Sequence, residues 1–575
     1  MTFLLNSPAD FSHEAVQAFA MANHQYATAV HGGVVRSRRT PAGQPALVVG
    51  GGSGHYPAFA GWVGPGMAHG APCGNIFSSP SASQVYSVAR NAENGGGVIF
   101  GFGNYAGDVL HFGSAAEKLR AEGIDVRIVA VSDDIASNPP EKHRERRGIA
   151  GDLPVFKIAG AAIEAGADLG EAERIAWKAN DATRSLGAAF DGCTLPGAED
   201  ALFGVEAGTM GVGLGIHGEP GIKDLPMGTA SEVADLLFDG VIAEAPEAHS
   251  GRVAVVLNGL GRVKYEELFV VYARIAERLE GAGLTPVQPE VGEFVTSLDM
   301  AGLSLTLVFL DDELEQYWLA PADTPAFRRG LPKGLEQSWE APRRTEIYTP
   351  GEEEVPPASD DSRALAAKVQ EVLELFEHRC RQNEEEWGRI DAIAGDGDHG
   401  HAMVIGSGGA VQAGRRALER GAGACTLLVH AGTAWSESAG GTSGALWAAA
   451  LTAAGSALGD HGGEDEATTV RALSDGVQAV HRVGGATPGD KTMIDAALPF
   501  ATALEYEWKR PGDLATATSA AAVAAKAAAE ETADLTARLG RSRALGEKSR
   551  GTPDPGATSF AVLMETLAGH FRDTK

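Results

Sequence analysis

Two different hydrophobic rhythms share this chain, and the break between them limits what it can fold into. From about residue 46 to residue 311, short β-branched runs alternate with longer amphipathic stretches. ALVVG (46–50), GGVIFGFG (96–103), VRIVAVSDD (126–134), RVAVVLNG (252–259) and LSLTLVFLDDE (303–313) read as buried strands. SASQVYSVARNAE (81–93) and YEELFVVYARIAERLEG (265–281) carry a helical period instead. The alternation predicts an α/β half of two lobes, with functional groups at the carboxyl ends of strands. After residue 362 the strand signal stops. Ala-rich patterns (ALAAKVQEVLELFEHR, ALWAAALTAAGSAL, ATATSAAAVAAKAAAEETADLTARL), broken by glycine loops, predict an all-α helical bundle packed through small residues. Between the halves, LEQSWEAPRRTEIYTPGEEEVPPASDDS is rich in Pro and Glu and lacks an apolar period, as a linker does. The expected order is an α/β domain over 1–334, a linker over 335–362 and a helical domain over 363–575.

Charge narrows the partners. With 47 Lys and Arg against 76 Asp and Glu, the net charge is −29, which repels nucleic-acid backbones and anionic membranes. A phosphate-bearing ligand must therefore be met through a metal ion or aimed backbone amides. Cys73, Cys193, Cys380 and Cys425 lie far apart with no CxxC pair, and read as buried thiols in a reducing compartment. MTFLLNSPADF has no basic leader pattern and no stretch reaches transmembrane length, so a cytoplasmic location is expected.

Three glycine-rich loops in the first half, with a fourth loop of small polar residues beside them, carry chemistry. VVGGGSGHYP (48–57) follows a strand and offers Gly52, Ser53, Gly54 and His55. It lacks the Lys-Ser/Thr of a phosphate-binding loop and matches no dinucleotide fingerprint. GNYAGD (103–108) offers Gly103 and Asp108, and GNIFSSPS (74–81) adds small polar groups. GVGLGIHGEPG (211–221) surrounds His217 with glycines, which implies either a tight turn or something approaching the ring closely. A carboxylate and an imidazole together can share acid–base work on a hydroxyl, and a second neutral histidine can act as a nucleophile.

In the second half, IDAIAGDGDHGHAM (390–403) spaces Asp391, Asp396 and Asp398 as D-x4-D-x-D around two glycines. Such carboxylates can converge on a hard cation, and Mg²⁺ is commonly shared between carboxylates and phosphates. An EF-hand would need an acidic ligand further downstream, which is missing. GGTSGA (440–445), GGATPGDKTMIDA (484–496) and LGRSRALGEKSRGTPDPGA (539–557) are read as ordered loops between helices, with Lys491 structural or ion-paired rather than a phosphate clamp.

GGGSGHYPAFAGWVGPG, CGNIFSSPS, GNYAGDV, RRGIAGDLPVFKIAGAA, GLGIHGEPG and TSLDMAGLSLTL resemble, in this order, the substrate domain of dihydroxyacetone kinases, over nearly all of residues 1–333. The loops of residues 363–575 resemble the ATP-binding domain of the same kinases. The resemblance implies that His217 binds a short ketose as a hemiaminal, while His55 and Asp108 contact its hydroxyls and handle the transferred proton. It implies Mg²⁺ on Asp391, Asp396 and Asp398. It implies a nucleotide lined by His399, Gly400, His401, Ala402, Thr442, Ser443, Gly484, Met493, Arg541, Asp554, Pro555 and Gly556. A homodimer with domains exchanged between chains is also implied.

The family commonly has Lys at Gly103, and Glu and His at Tyr56 and Phe59. Loss of that lysine is expected to empty pocket volume for a sugar larger than a triose. GHYPAF and GNYAGD look like the erythrulose-kinase branch. The expectation is ATP-dependent conversion of D-erythrulose to D-erythrulose 4-phosphate, ahead of dihydroxyacetone or L-erythrulose. A phosphoprotein-dependent phosphotransferase and a non-catalytic sugar sensor are the competing readings.

Overall fold

The five expected strands all form, and why they read as unbroken apolar runs is visible from their surroundings. A computed structural model describes residues 4–330, 355–393, 397–463, 465–510, 512–539 and 547–574. The chain divides into two compact units, Met1–Pro342 and Arg343–Lys575. Most of the expected linker lies outside the described residues.

Among its described residues the first unit holds two seven-stranded sheets and a two-stranded one that pairs Ala322–Asp323 with Arg328–Arg329. One contains β1 (Ala27–Val30), β2 (Gly33–Arg36), β3 (Ala46–Val49), β4 (Gly51–Ser53), β5 (Gly70–Ile76), β6 (Val98–Gly103) and β7 (Val126–Val131). Its order is β1-β2-β5-β3-β6-β7, with β4 paired to β5. The β5, β3, β6 and β7 segment is parallel. Val48, Phe100 and Phe102 face the helices Ala82–Ala92 and Ala106–Ala121, whereas Leu47, Val49 and Ile99 face the opposite core. Both faces are thus covered, which explains strands without polar alternation. Ser81 starts the first of these helices with a capping box, its hydroxyl accepting from the Gln84 N–H while the Gln84 side chain accepts from its own.

The second sheet contains β8 (Thr183–Ala189), β9 (Thr209–Val212), β10 (Lys223–Pro226), β11 (Arg252–Gly259), β12 (Thr285–Pro286), β13 (Glu290–Gly292) and β14 (Gly302–Leu310). Here β14 lies antiparallel between β8 and β11, and only the short β12 and β13 run parallel to β11. This sheet is therefore mixed and mostly antiparallel, a direction the sequence does not carry, because a doubly buried strand has the same composition either way. Helices Ala230–Ile242 and Tyr265–Gly281 cover one face through Val233, Leu237, Leu268 and Ile275. From the other face Ala254, Val256 and Val308 join the core that also contains Leu47 and Ile99. The helix Asp152–Glu164 lies in that shared core, with every residue from Asp152 to Ile163 buried, and of these only Asp152 and Lys157 are polar.

The second unit has eight α-helices among its described residues: Asp360–Asp391, His399–Glu419, Ala424–Ala439, Gly441–Leu458, Glu466–Gly484, Ile494–Trp508, Leu514–Glu531 and Pro555–Asp573. Each packs on the next, and the last returns to the first, closing a ring. The first helix starts at Asp360, capped by Ser359, three residues ahead of the expected domain start. GGTSGA is not a loop: Gly440 alone leaves helical geometry, with φ of 58°, and Gly441 begins the next helix. The four cysteines are free thiols, but only Cys193 and Cys380 are buried; Cys73 and Cys425 are partly exposed. No helix among the described residues is long and apolar enough to cross a membrane.

Candidate active site

Two of the three loops singled out in the first unit meet directly. His55 follows β4 and His217 follows β9, 162 residues apart, yet their Nε2 atoms are 3.0 Å from each other. The chain reaches His55 through Gly54, which has φ of 101°. A Cβ on Gly52 would lie 2.8 Å from the Ser78 amide nitrogen, so bare glycine lets this loop press against the backbone of GNIFSSPS. His55 is buried, with Nδ1 2.7 Å from the Thr296 carbonyl oxygen. Burial and the neighbouring His217 hold its pKa down at about 3.

Asp108 stands in the first turn of the helix that follows β6, at the carboxyl end of a parallel strand. It is 7% exposed, and its Oδ1 is buried without a hydrogen-bond partner. Burial pushes its pKa up to about 6, against the pull of Ser79 and His217. The Tyr105 ring lies edge-on to His217 at 4.9 Å between centroids, and Phe77 stacks on His55 at 5.1 Å. The Tyr105 hydroxyl is likewise buried and unpartnered. Two orphaned polar atoms beside an imidazole pair offer hydrogen-bonding capacity suited to a polyhydroxyl ligand.

The structure revises two expectations. Gly103 does not simply leave volume empty: a Cβ there would lie 3.1 Å from the Gly148 carbonyl oxygen and 3.2 Å from the Tyr105 ring. Tyr105 occupies the flank of that position. Nor do the glycines around His217 serve only a ligand's approach. A Cβ on Gly215 would fall 2.0 Å from Glu219 Oε2, so this glycine makes room for Glu219 to fold back. Glu219 then receives the His217 backbone N–H at 3.1 Å and lies 3.0 Å from His217 Nδ1. The sequence alone assigns no role to Glu219, Thr296 or Tyr105. The traces were the H-x-E spacing, the first residue of TSLDMAG, and the aromatic in GNYAGD.

In the second unit most of the named residues that are described lie at or near helix ends. Asp391 ends the first helix, and its Oδ2 accepts from the N–H groups of Gly397 (3.0 Å) and His399 (3.3 Å). Asp398 precedes the helix starting at His399, Gly400 and Ala402 lie in its first turn, and His399 Nε2 sits 3.0 Å from Ser559 Oγ. Asp554 caps the helix opening with Pro555 and Gly556, accepting from the Ala557 N–H at 2.7 Å. Met493 is beside Gly556, whose added Cβ would lie 3.5 Å away. Asp391, Asp554, Pro555 and Lys491 line one small cleft. Thr442 and Ser443 occupy the first turn of Gly441–Leu458, and a Cβ on Gly484 would lie 3.1 Å from Leu446 of the same helix. His401 is exposed and turned toward Glu384. Lys491 is structural, as expected, its Nζ donating to the carbonyls of Leu535, Ser549 and Thr552. Asp396 and Arg541 lie outside the described residues.

The donor chemistry fits a hard divalent cation and a phosphate chain. Burial, with the like charges of Asp495 and Asp391, pushes the Asp554 carboxyl up to about 7 despite Lys491. A concentration of carboxylates that destabilise one another is what a cation relieves, and helix N-termini present N–H groups to anions. Among the described residues no group of three metal-ligating side chains assembles.

Comparison with known proteins agrees with this layout. Residues 17–326 match the Dak1 domain and residues 393–569 the DAK2 domain. The chain is 67% identical to L-erythrulose 1-kinase of Mycolicibacterium smegmatis, covering 99% of this chain and 100% of that protein. It is 52% identical to D-erythrulose kinase of the same organism, covering 99% and 98%. The crystal structure of the dihydroxyacetone kinase from C. freundii in complex with AMP-PNP and Mg²⁺ superposes with a TM-score of 0.60 at 31% identity, covering 99% of each chain. The chain therefore belongs to the dihydroxyacetone kinase family in its fused two-domain form, and it is a ketose kinase.

Proposed function

We propose that this kinase transfers the γ-phosphate of ATP to a four-carbon ketose, L-erythrulose, at its C1 hydroxyl. The capture step rests on one observation: His55 and His217 Nε2 atoms 3.0 Å apart, beside the unpartnered Asp108 Oδ1. His217 bonds the ketone carbon, which holds the sugar and excludes glycerol, a polyol without a carbonyl. Asp108, assisted by His55, accepts the proton of the attacking hydroxyl. Gly52, Ser53 and Gly54 line the sugar, and the Tyr105 hydroxyl is available to its outer hydroxyls.

Asp391, Asp396 and Asp398 hold Mg²⁺, and the helix starts at His399, Thr442–Ser443 and Asp554–Gly556 hold the nucleotide. When bound, Mg²⁺-ATP supplies the phosphoryl group and neutralises its charge. The family resemblance by itself points to the D enantiomer and a 4-phosphate. The 67% identity to a protein named for L-erythrulose and position 1 supports the L sugar and C1 instead. C1 of a 2-ketotetrose stands next to the carbonyl, as both hydroxyl carbons of dihydroxyacetone do. One capture geometry then serves both sugars. A homodimer in the cytoplasm, with one chain's nucleotide domain serving the other's ketose, completes the proposal.

Steady-state assays with ATP and Mg²⁺ over L-erythrulose, D-erythrulose, dihydroxyacetone and glycerol test it. L-erythrulose is expected to give the highest kcat/KM and a 1-phosphate product, with no turnover of glycerol. Strong preference for dihydroxyacetone, or transfer that stops after one turnover, overturns the reading. His217→Ala is expected to keep nucleotide binding and lose ketose capture.

A further inference from the structure

The hydrogen bonds around the two imidazoles dictate where their protons lie. A carbonyl oxygen only accepts, so His55 carries hydrogen on Nδ1, facing Thr296. A carboxylate only accepts, so His217 carries hydrogen on Nδ1, facing Glu219 Oε1. The two Nε2 atoms then face each other at 3.0 Å. Two lone pairs at that distance repel, so one hydrogen lies between them. Four ring nitrogens thus hold three protons, and the pair bears one positive charge.

Of the two rings only His217 faces a carboxylate, Glu219, whereas His55 is buried against a carbonyl, so the positive charge is assigned to His217. Burial raises the Glu219 pKa, but the hydrogen bond and charge of His217 outweigh it and bring it to about 2. Arg147 pairs chiefly with Asp134, at 2.7 Å, and donates to the Gly213 carbonyl; it reaches Glu219 Oε2 only at 4.0 Å, while Glu219 Oε1 faces His217. Tyr105 and Asp108 face His217 from the loop and helix after β6, and His55 from the segment after β4.

We propose that Glu219 is a positioning residue for ketose capture, the counter-ion that keeps His217 cationic both before and after the bond to carbon forms. This rests on the hemiaminal reading above. The step balances as an addition of Nε2–H across the ketone. The Nε2 proton passes to His55 Nε2. The released lone pair bonds the ketone carbon, and the carbonyl π pair takes the proton back from His55 as a hydroxyl. An N–H of the ring is exchanged for an N–C bond. The ring stays an imidazolium beside Glu219, and no proton is traded with water.

The test follows the fraction of tetrahedral carbon by ¹³C NMR against pH, without nucleotide. It uses the full-length protein and the best substrate of the assays above, labelled at its ketone carbon. Where the free ring is protonated in both proteins, Glu219→Gln is expected to match the wild type, because the cation loses its partner before and after capture alike. At higher pH the variant gives up its Nε2 proton first, so its adduct falls roughly tenfold per pH unit ahead of the wild type. Glu219→Asp, which keeps the charge, is expected to restore most of that limb. A loss by the same factor at every pH, or no loss, overturns the counter-ion role. No tetrahedral carbon in the wild type at any pH overturns the capture reading itself, and the two failures are thereby distinct. If Glu219→Gln does not fold, ¹⁵N shifts of the wild-type His217 ring decide. An imidazolium at neutral pH supports the role, and a neutral ring protonated only on Nε2 overturns it.

Discussion

Asp108 shows how position sets the chemistry of one side chain. In water its carboxyl would be ionised at any physiological pH. Buried in the first turn after β6, with Oδ1 unpartnered, it is pushed up to about 6. A base must be ionised to accept a proton, so the rate should rise with pH through about 6 and level off above it. A pH–kcat profile of the wild type with no acid limb there would remove Asp108 from this role. Asp108→Asn cannot accept the proton and should lower kcat on the order of 10²-fold or more, while the ketose adduct on His217 persists. The same local logic explains Gly215, bare because the Glu219 carboxylate occupies the place of its Cβ.

Among the elements, the helix starts of the second unit depend on a buried cation. Lys491, 5% exposed, donates to the carbonyls of Leu535, Ser549 and Thr552, and so ties the segment before Ile494–Trp508 to the one leading into Pro555–Asp573. Lys491→Met keeps much of the volume and removes the donor. Each buried carbonyl left unsatisfied costs about 1–3 kcal/mol, and partial relaxation brings the expected loss to roughly 3 kcal/mol in the helical unit. Differential scanning calorimetry should show that unit's transition falling while the α/β unit's stays. An unmoved helical transition would mean that water replaces the amine.

For the whole molecule, two compact units with no shared hydrophobic cluster imply two separately ligand-linked stabilities. A ligand stabilises the unit that binds it by RT ln(1 + [L]/Kd), about 2.7 kcal/mol at a hundredfold excess. Ketose should therefore raise the transition of the α/β unit, and Mg²⁺ with a non-hydrolysable ATP analogue that of the helical unit. The nucleotide's effect should vanish on chelation of the metal, since a chain of net charge −29 meets phosphates poorly without it. A nucleotide shift insensitive to chelation would contradict the metal's part.

Much of this molecule is determined by local pattern. The change from β-branched runs to Ala-rich helical periods marks two kinds of core, and each expected strand forms within a few residues of its run. The glycine loops, with His55, Asp108 and His217 in them, are equally plain, because turn chemistry is local. Strand direction, by contrast, is a choice between distant partners, so the antiparallel β14 between β8 and β11 left no periodic trace. GGTSGA misled for the opposite reason: glycines suggest a loop, but the packed ring continues the helix from Gly441. Only the tertiary structure sets two histidines 162 residues apart at 3.0 Å, and folds Glu219 onto one of them. Those distances decide the protonation of both rings, because hydrogen-bond partners and burial, neither of which a linear pattern contains, govern where a proton resides.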